Sequence, residues 1–242
     1  MPTTPTTSPY RAIAKLLVLA TVLVAVSGCV YLRLLRFKGH LKEFEQYVQV
    51  DRSHGLALIF LEPALRDEDF IFITESEPTL KQALPGSPSG EVWHWVFEKE
   101  LPAESGAEPF DILFRTTFED HLLTRIDFDP ELLSAIPKDF IVELFKSMGK
   151  ARINKLRRSA TAKMSRDALV DVPLPSLKEI ESVMGDPSER ETKGKRSLWR
   201  YEFNFHNPEN RELSGQFRIV FKSDSRDLDQ QITGFEVSGK GR

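Results

Sequence analysis

The clearest periodicity along the chain has a step of two. In residues 198–206, Trp199, Tyr201, Phe203 and Phe205 alternate with Arg200, Glu202, Asn204 and His206, as in a strand with one buried face. Residues 92–100 repeat the pattern, with Trp93, Trp95 and Phe97 on the apolar side. Further strand-like stretches follow each, at 110–118 and 123–129 and again at 217–225 and 232–238. A short helical segment precedes each, within 65–79 and 174–188. Ser176 and Glu179 have the spacing of a capping box, and Asp67 is the expected N-cap of the earlier helix. Gly185 suits a left-handed helix exit, with Pro187 just beyond it.

These segments correspond at nearly constant spacing. Leu65, Ile71 and Pro78 lie 109 positions before Leu174, Ile180 and Pro187. Trp93, Trp95 and Phe97 lie 106 before Trp199, Tyr201 and Phe203, and Ile126 and Phe128 lie 109 before Phe235 and Val237. The spacing changes only in polar stretches, where loops absorb insertions. The expected fold is α+β: two tandem modules from an internal duplication, each a short helix plus a three-stranded antiparallel sheet. The first carries additions. Residues 44–50 and 55–61 read as an extra strand pair, and Asp129 and Pro130 open a short helix. A long helix is expected from about Pro137 to Ala160, on the spacing of Ile141, Phe145, Met148, Arg152, Leu156 and Ala160. The modules are placed at 44–165 and 166–242.

The amino terminus is of another kind. Residues 1–10 are rich in Pro and Thr, and residues 16–32 are 17 positions without a charge. That length is short for a spanning helix and suits the core of a signal peptide. Residues 26–29, Val-Ser-Gly-Cys, resemble the lipobox of bacterial lipoproteins, and Cys29 is the only cysteine in the chain. The resemblance implies cleavage before Cys29, a lipid on its thiol, a signal peptide at 1–28 and a tether at 29–43. The alternative is an uncleaved helix. Arg33, Arg36, Lys38 and Lys42 after the run outnumber Arg11 and Lys15 before it, which favours a body facing the cytoplasm.

The stretches 177–189, 198–203 and 217–221 together resemble the helix-and-strand modules of periplasmic lipoproteins of the SmpA/OmlA type. That group includes the small lipoprotein of the outer-membrane barrel assembly machine, and its fold is β-lactamase-inhibitor-like. The likeness covers about 65 residues of the second module and implies a binding scaffold without naming a partner. Residues 73–78, Ile-Thr-Glu-Ser-Glu-Pro, lack the glycine of that pattern.

Composition narrows the function classes. The formal net charge is −3, and the first 28 residues hold only Arg11 and Lys15, so the body is mildly acidic and does not suggest nucleic acid. One cysteine excludes an internal disulfide and a cysteine-rich zinc site. The sequence holds no nucleophile elbow, no phosphate-binding glycine loop and no paired histidines of zinc-protease spacing. His94 and His206 fall on polar strand faces, and the Glu119–Asp120–His121 cluster falls in a loop. No catalytic residue, cofactor or metal site is assigned. Trp93, Trp95 and Phe97 could form an exposed platform, but core packing is expected. One charged stretch stands out. Residues 146–163 carry seven cations and no acid, and Lys150, Arg152, Lys155, Arg157 and Arg158 are the candidate interaction residues for anionic lipid or an acidic partner.

The resulting expectation is a membrane-tethered lipoprotein facing the periplasm, a non-catalytic scaffold with a protein partner in the cell envelope. An enzyme with a dispersed site and a cytoplasm-facing anchored interaction protein are the alternatives.

Overall fold

The computed structural model describes residues 30–74, 76–100, 110–150, 152–154, 159–165, 174–204 and 216–240. They form a mixed α+β structure around one large antiparallel sheet. The described helices are α1 (30–42), α2 (Phe44–Tyr47), α3 (Asp67–Thr74), α4 (Pro130–Ala135), α5 (Lys138–Met148) and α6 (Leu177–Met184). The strands are β1 (Val48–Asp51), β2 (Leu56–Phe60), β3 (Leu80–Ala83), β4 (Gly90–Lys99), β5 (Ile112–Glu119) and β6 (Leu122–Phe128). Beyond them run β7 (Arg152–Asn154), β8 (Ser159–Ser165), β9 (Glu189–Lys193), β10 (Arg196–Asn204), β11 (Gln216–Ser223) and β12 (Gly234–Lys240).

The main path of this 12-stranded sheet is β1-β2-β6-β5-β4-β10-β11-β12-β8-β7. β3 lies beside the early part of β4, and β9 beside the early part of β10. The link between β4 and β10 is short, with register pairs Lys99–Phe203 and Glu98–Asn204. The Glu100 amide extends it by donating to the Glu202 carbonyl at 2.7 Å. Ser188 bridges the same seam, donating its hydroxyl to the Glu100 carbonyl and accepting from the Glu202 amide.

The two-residue alternation places its apolar side inward. Trp93, Trp95, Phe97, Trp199, Tyr201 and Phe203 are all buried. The Trp95 indole donates to the Thr116 hydroxyl at 2.9 Å and the Tyr201 phenol to the Gly185 carbonyl at 3.0 Å, so both polar tips are satisfied inside. Helices cover this face. α6 presents Leu177, Ile180 and Met184 to it, at helical spacing. Its N-terminus closes with the expected capping box of Ser176 and Glu179, and it exits through Gly185 at φ 67. In α3 the reach-back to residue 66 is made by Asp69, whose carboxylate accepts from the Arg66 amide at 3.0 Å, while Asp67 begins the helix. Asp129 caps α4 with Pro130 at its first turn.

α5 shows how far the sheet bends. Its Phe140 ring lies 4.1 Å from Phe235 on β12, and its Phe145 ring 5.7 Å from Phe128 on β6. β6 and β12 are five ladder steps apart, which would be about 24 Å across a flat sheet. An 11-residue helix is only about 16 Å long. The sheet therefore curls around α5.

Three expectations are corrected. The strand stretches are not separate three-stranded sheets: β3 and β9 add a strand to each group, and all twelve belong to one sheet. The long helix stops at Met148, and residues 152–154 and 159–165 are strands. Gly149 follows directly, at a close approach. A side chain there would come within 2.4 Å of the Lys42 backbone nitrogen, so α1 and the end of α5 touch backbone to backbone. Beyond it, β8 pairs with β12 over seven residues, occupying an edge that would otherwise be open. The extra strand pair at β1–β2 thus has a counterpart in β7–β8. Finally, residues 30–42, expected within a tether, form α1. Leu41 is buried in the core and Leu34 and Phe37 pack against it. Among the described residues no helix is long and apolar enough to cross a membrane.

Candidate functional site

Among the described residues, those singled out in the sequence do not converge on one site. Cys29, Lys155, Arg157 and Arg158 lie outside the described residues, as does His206. Lys150 is exposed in the turn after α5, and Arg152 opens the edge strand β7. The amphipathic basic helix expected there is replaced by a helix end and a hairpin. His121 sits at the two-residue turn between β5 and β6, where Asp120 and His121 both adopt positive φ. Its Nδ1 lies 2.7 Å from an Asp67 carboxylate oxygen, which raises its pKa above 6.5. That pair ties the turn to the start of α3. His94 faces outward and contacts Gln82 at 3.1 Å. Among the described residues, no group of three or more His, Cys, Asp or Glu side chains could hold a metal ion.

An open concavity of about 1150 Å³ lies on the outward face of β10, β11 and β12. Strand alternation builds it. Tyr201, Ile219 and Phe235 turn inward, so Leu198, Arg200, Arg218, Val220, Lys222 and Glu236 turn outward. Leu198 lies opposite Lys222, and Val220 opposite both Arg200 and Glu236. The result is a small aliphatic floor of Leu198 and Val220 rimmed by cations, with Lys193, Lys195 and Arg196 at the β9–β10 end.

Carboxylates hold this rim in place. Arg200 pairs with Glu189 and, at 3.1 Å, with Glu191. Arg218 Nε donates to Glu202 at 2.6 Å, Lys222 to Glu236 at 3.1 Å, and Arg196 to Asp224 at 3.1 Å. The hydrogen bond from Arg200 to Glu189 raises the Arg200 pKa further, and the one from Lys193 lowers that of Glu191. Chemically the face suits an anionic or acidic group laid across guanidinium and ammonium donors. The described lining brings no histidine or cysteine to it.

Comparison with family models, with curated proteins and with solved structures returns no match. The functional reading therefore rests on this chain's own residues.

One residue was overlooked in the sequence. Lys99 continues the inward alternation of Trp93, Trp95 and Phe97 and is buried. Its ammonium donates to the Met184 carbonyl at the end of α6 and lies 5.3 Å from the centre of the Tyr201 ring. Desolvation lowers its pKa below 10.5, opposed by Asp186. A cation at a helix C-terminus meets the negative end of the helix dipole. A lysine at an apolar strand position was the available signal. The Tyr201 phenol is pushed well above its ordinary range by burial.

Proposed function

We infer that this chain is a bacterial lipoprotein, tethered to the membrane through Cys29 and facing the periplasm. Its body is a non-catalytic scaffold that binds an envelope protein through the charged outer face of the second half. The observation carrying the binding role is the cation-rimmed concavity of β10–β12, whose side chains are held by ion pairs before a partner arrives. The tether reading rests on residues 26–29, Val-Ser-Gly-Cys, at the end of the uncharged run. A cytoplasm-facing body on an uncleaved helix, and an enzyme with a dispersed site, are the competing readings.

The body itself reads as two copies of one module. Ladder partners correspond: Phe114–Phe128 and Thr116–Ile126 match Ile219–Val237 and Phe221–Phe235. Smaller details correspond too. Lys81 pairs with Glu77 and lies 4.4 Å from the Trp93 ring centre; Arg190 pairs with Asp186 and lies 4.8 Å from that of Trp199. The bridges Arg66–Leu122 and Ser176–Gln231 sit at matching places. The hairpins β1–β2 and β7–β8 extend the likeness, so the modules are better bounded at about 30–128 and 138–240.

Palmitate labelling tests the tether: Cys29→Ser should abolish it and leave an unprocessed precursor. A photo-crosslinking residue at Val220, used in cells, tests the binding face. It should capture one discrete envelope protein, and charge reversal at Arg218 and Lys222 should weaken that capture. Capture unaffected by the reversal, or none at all, refutes the role given to this face.

A further inference from the structure

The cations on the β10–β11 face are regularly spaced. The register pairs are Arg200–Val220, Leu198–Lys222 and Glu202–Arg218. Residues two apart on a strand are separated by about 6.8 Å. Arg218, Arg200 and Lys222 therefore follow one another at that step, crossing between β11 and β10 each time. Arg196 adds a fourth position. Its Nε donates at 3.1 Å to Asp224, the residue just after β11, which sets it one step beyond Lys222. Val220 and Leu198 fill the alternate places between the cations. The row belongs to the second half only. Trp93 pairs with Thr116 and Trp95 with Phe114, as Trp199 pairs with Phe221 and Tyr201 with Ile219. On that correspondence Arg200, Arg218 and Lys222 stand where the first half has His94, Leu113 and Thr117. The first half builds the same ladder without these three cations, so the strand pairing does not require them.

We propose that this row binds an extended acidic segment of a partner protein, one with carboxylates at every second residue. The proposal rests on the binding role given to this face and names the form of the partner. Three observations select that occupant. The first is the step. An extended chain presents alternate side chains on one side at about 6.8 Å, the spacing of the row. Four cations span three steps, about 20 Å. Acids on one face of a helix recur once per turn and reach only about 16 Å in three steps, so a helix falls out of register before the fourth cation. The second is the floor. Trp199, Tyr201, Phe203 and Phe221 are buried on the other side of these strands, and the described lining holds no aromatic ring on which a nucleic-acid base could stack. The third is chemical. Each cation of the row already holds a carboxylate of this chain: Arg200 those of Glu189 and Glu191 on β9, Lys222 that of Glu236 on β12, Arg218 that of Glu202 and Arg196 that of Asp224. Exposed pairs of this kind exchange partners at little cost. Incoming carboxylates at the same positions therefore replace them like for like.

The test uses the full chain in detergent micelles and fluorescein-labelled peptides read by anisotropy. One peptide carries glutamate at four alternate positions with threonine between them. A second has the same composition with its glutamates in one block. The alternating peptide should bind about tenfold more tightly than the block, the loss expected when one charge-assisted contact falls out of register. Arg218→Gln and Lys222→Gln should each weaken its binding about fivefold. Arg115→Gln should leave it unchanged, since Arg115 is exposed on the first half at the place corresponding to Val220. The two substitutions are independent, so one that misfolds leaves the other to decide. Equal binding of the two peptides, no binding of the alternating one, or binding that survives both substitutions overturns the proposal. So does an oligothymidylate that competes as well as the alternating peptide. In each of those cases crosslinking from Val220 in cells separates the two readings. Discrete capture of an envelope protein leaves the binding role of the face standing, and absence of capture removes both.

Discussion

Removing the carboxylate of Asp69 should loosen α1 from the body more than any other single polar change there. Asp69 is completely buried, and its two oxygens accept from Arg33 Nε and Nη2, both at 2.6 Å, and from the Arg66 amide at 3.0 Å. Breaking a buried pair by deleting one partner costs about 3–5 kcal/mol, because the remaining charge is left without compensation. Arg33 is 18% exposed and keeps Glu68 at 2.8 Å, so the lower end applies and Asp69→Ala should cost about 3 kcal/mol. Asp69→Asn keeps the shape and one acceptor and should cost about half of that. Arg33→Met with Asp69→Leu removes both charges, and the double variant should be more stable than the sum of the single losses by about 2 kcal/mol. Urea unfolding followed by emission of the buried tryptophans measures each value. Hydrogen exchange over residues 34–41 reports whether α1 opens first. A loss below about 0.5 kcal/mol for Asp69→Ala, or a strictly additive double variant, would refute the reasoning.

Gly149→Ala should destabilise the chain by about 1–3 kcal/mol, since the new methyl would meet the rigid backbone of Leu41 and Lys42; calorimetry showing an unchanged melting temperature counts against the close helix contact. Lys99→Met should alter how stability varies with pH. The folded pKa of Lys99 lies below its unfolded value of 10.5, so the unfolded chain binds more protons between the two and wild-type stability should rise with pH through that window. The variant should lack this contribution, and parallel pH curves for the two proteins would exclude it. His121 should titrate above 6.5 by proton resonance because of Asp67, and Asp67→Asn should return it toward 6.5. Its small contribution is fully present below 6.5 and lost as pH rises through the folded value; an unmoved titration in the variant would show that Asp67 is not the cause.

Much of the sheet was legible because its strongest signals are local. Trp93, Trp95, Phe97, Trp199, Tyr201 and Phe203 alternate with polar residues, and the inward face follows from that. The capping box of α6 and the Asp129–Pro130 start of α4 were readable for the same reason, since caps act within three residues. The region after Met148 was misread because two periods coexist there. Ile141, Phe145 and Met148 sustain a helical spacing that continues by chance through Leu156 and Ala160. Ala160, Ala162 and Met164 alternate as a strand, but small residues make that signal weak. The outcome was set from a distance: β12 offers seven residues of ladder, and only glycine at 149 leaves room for the backbone of Leu41 and Lys42. Neither α1 nor β12 is near residue 150 in sequence, so local propensity had no access to the deciding contact.

The charged face of the second half was hidden for a related reason. A linear scan finds cations that are neighbours in sequence, and so it found residues 146–163. The cations at Arg200, Arg218 and Lys222 are 18 and 4 positions apart and become neighbours only when β10 and β11 pair. Their carboxylates come from β9, β10 and β12, which makes the face almost balanced in charge although cations dominate its lining. Exposed pairs of this kind contribute about 0–1 kcal/mol each, so a partner can displace them cheaply. Until then they hold long side chains extended over Leu198 and Val220, which reduces the rotamer entropy lost when a partner binds. On the binding role proposed for this face, recognition would depend on matching the spacing of the guanidinium groups rather than on bulk attraction, because a nearly neutral surface has little long-range field to steer ligands. A partner suited to it carries acidic groups at fixed positions, and moderate salt should lower its affinity only modestly.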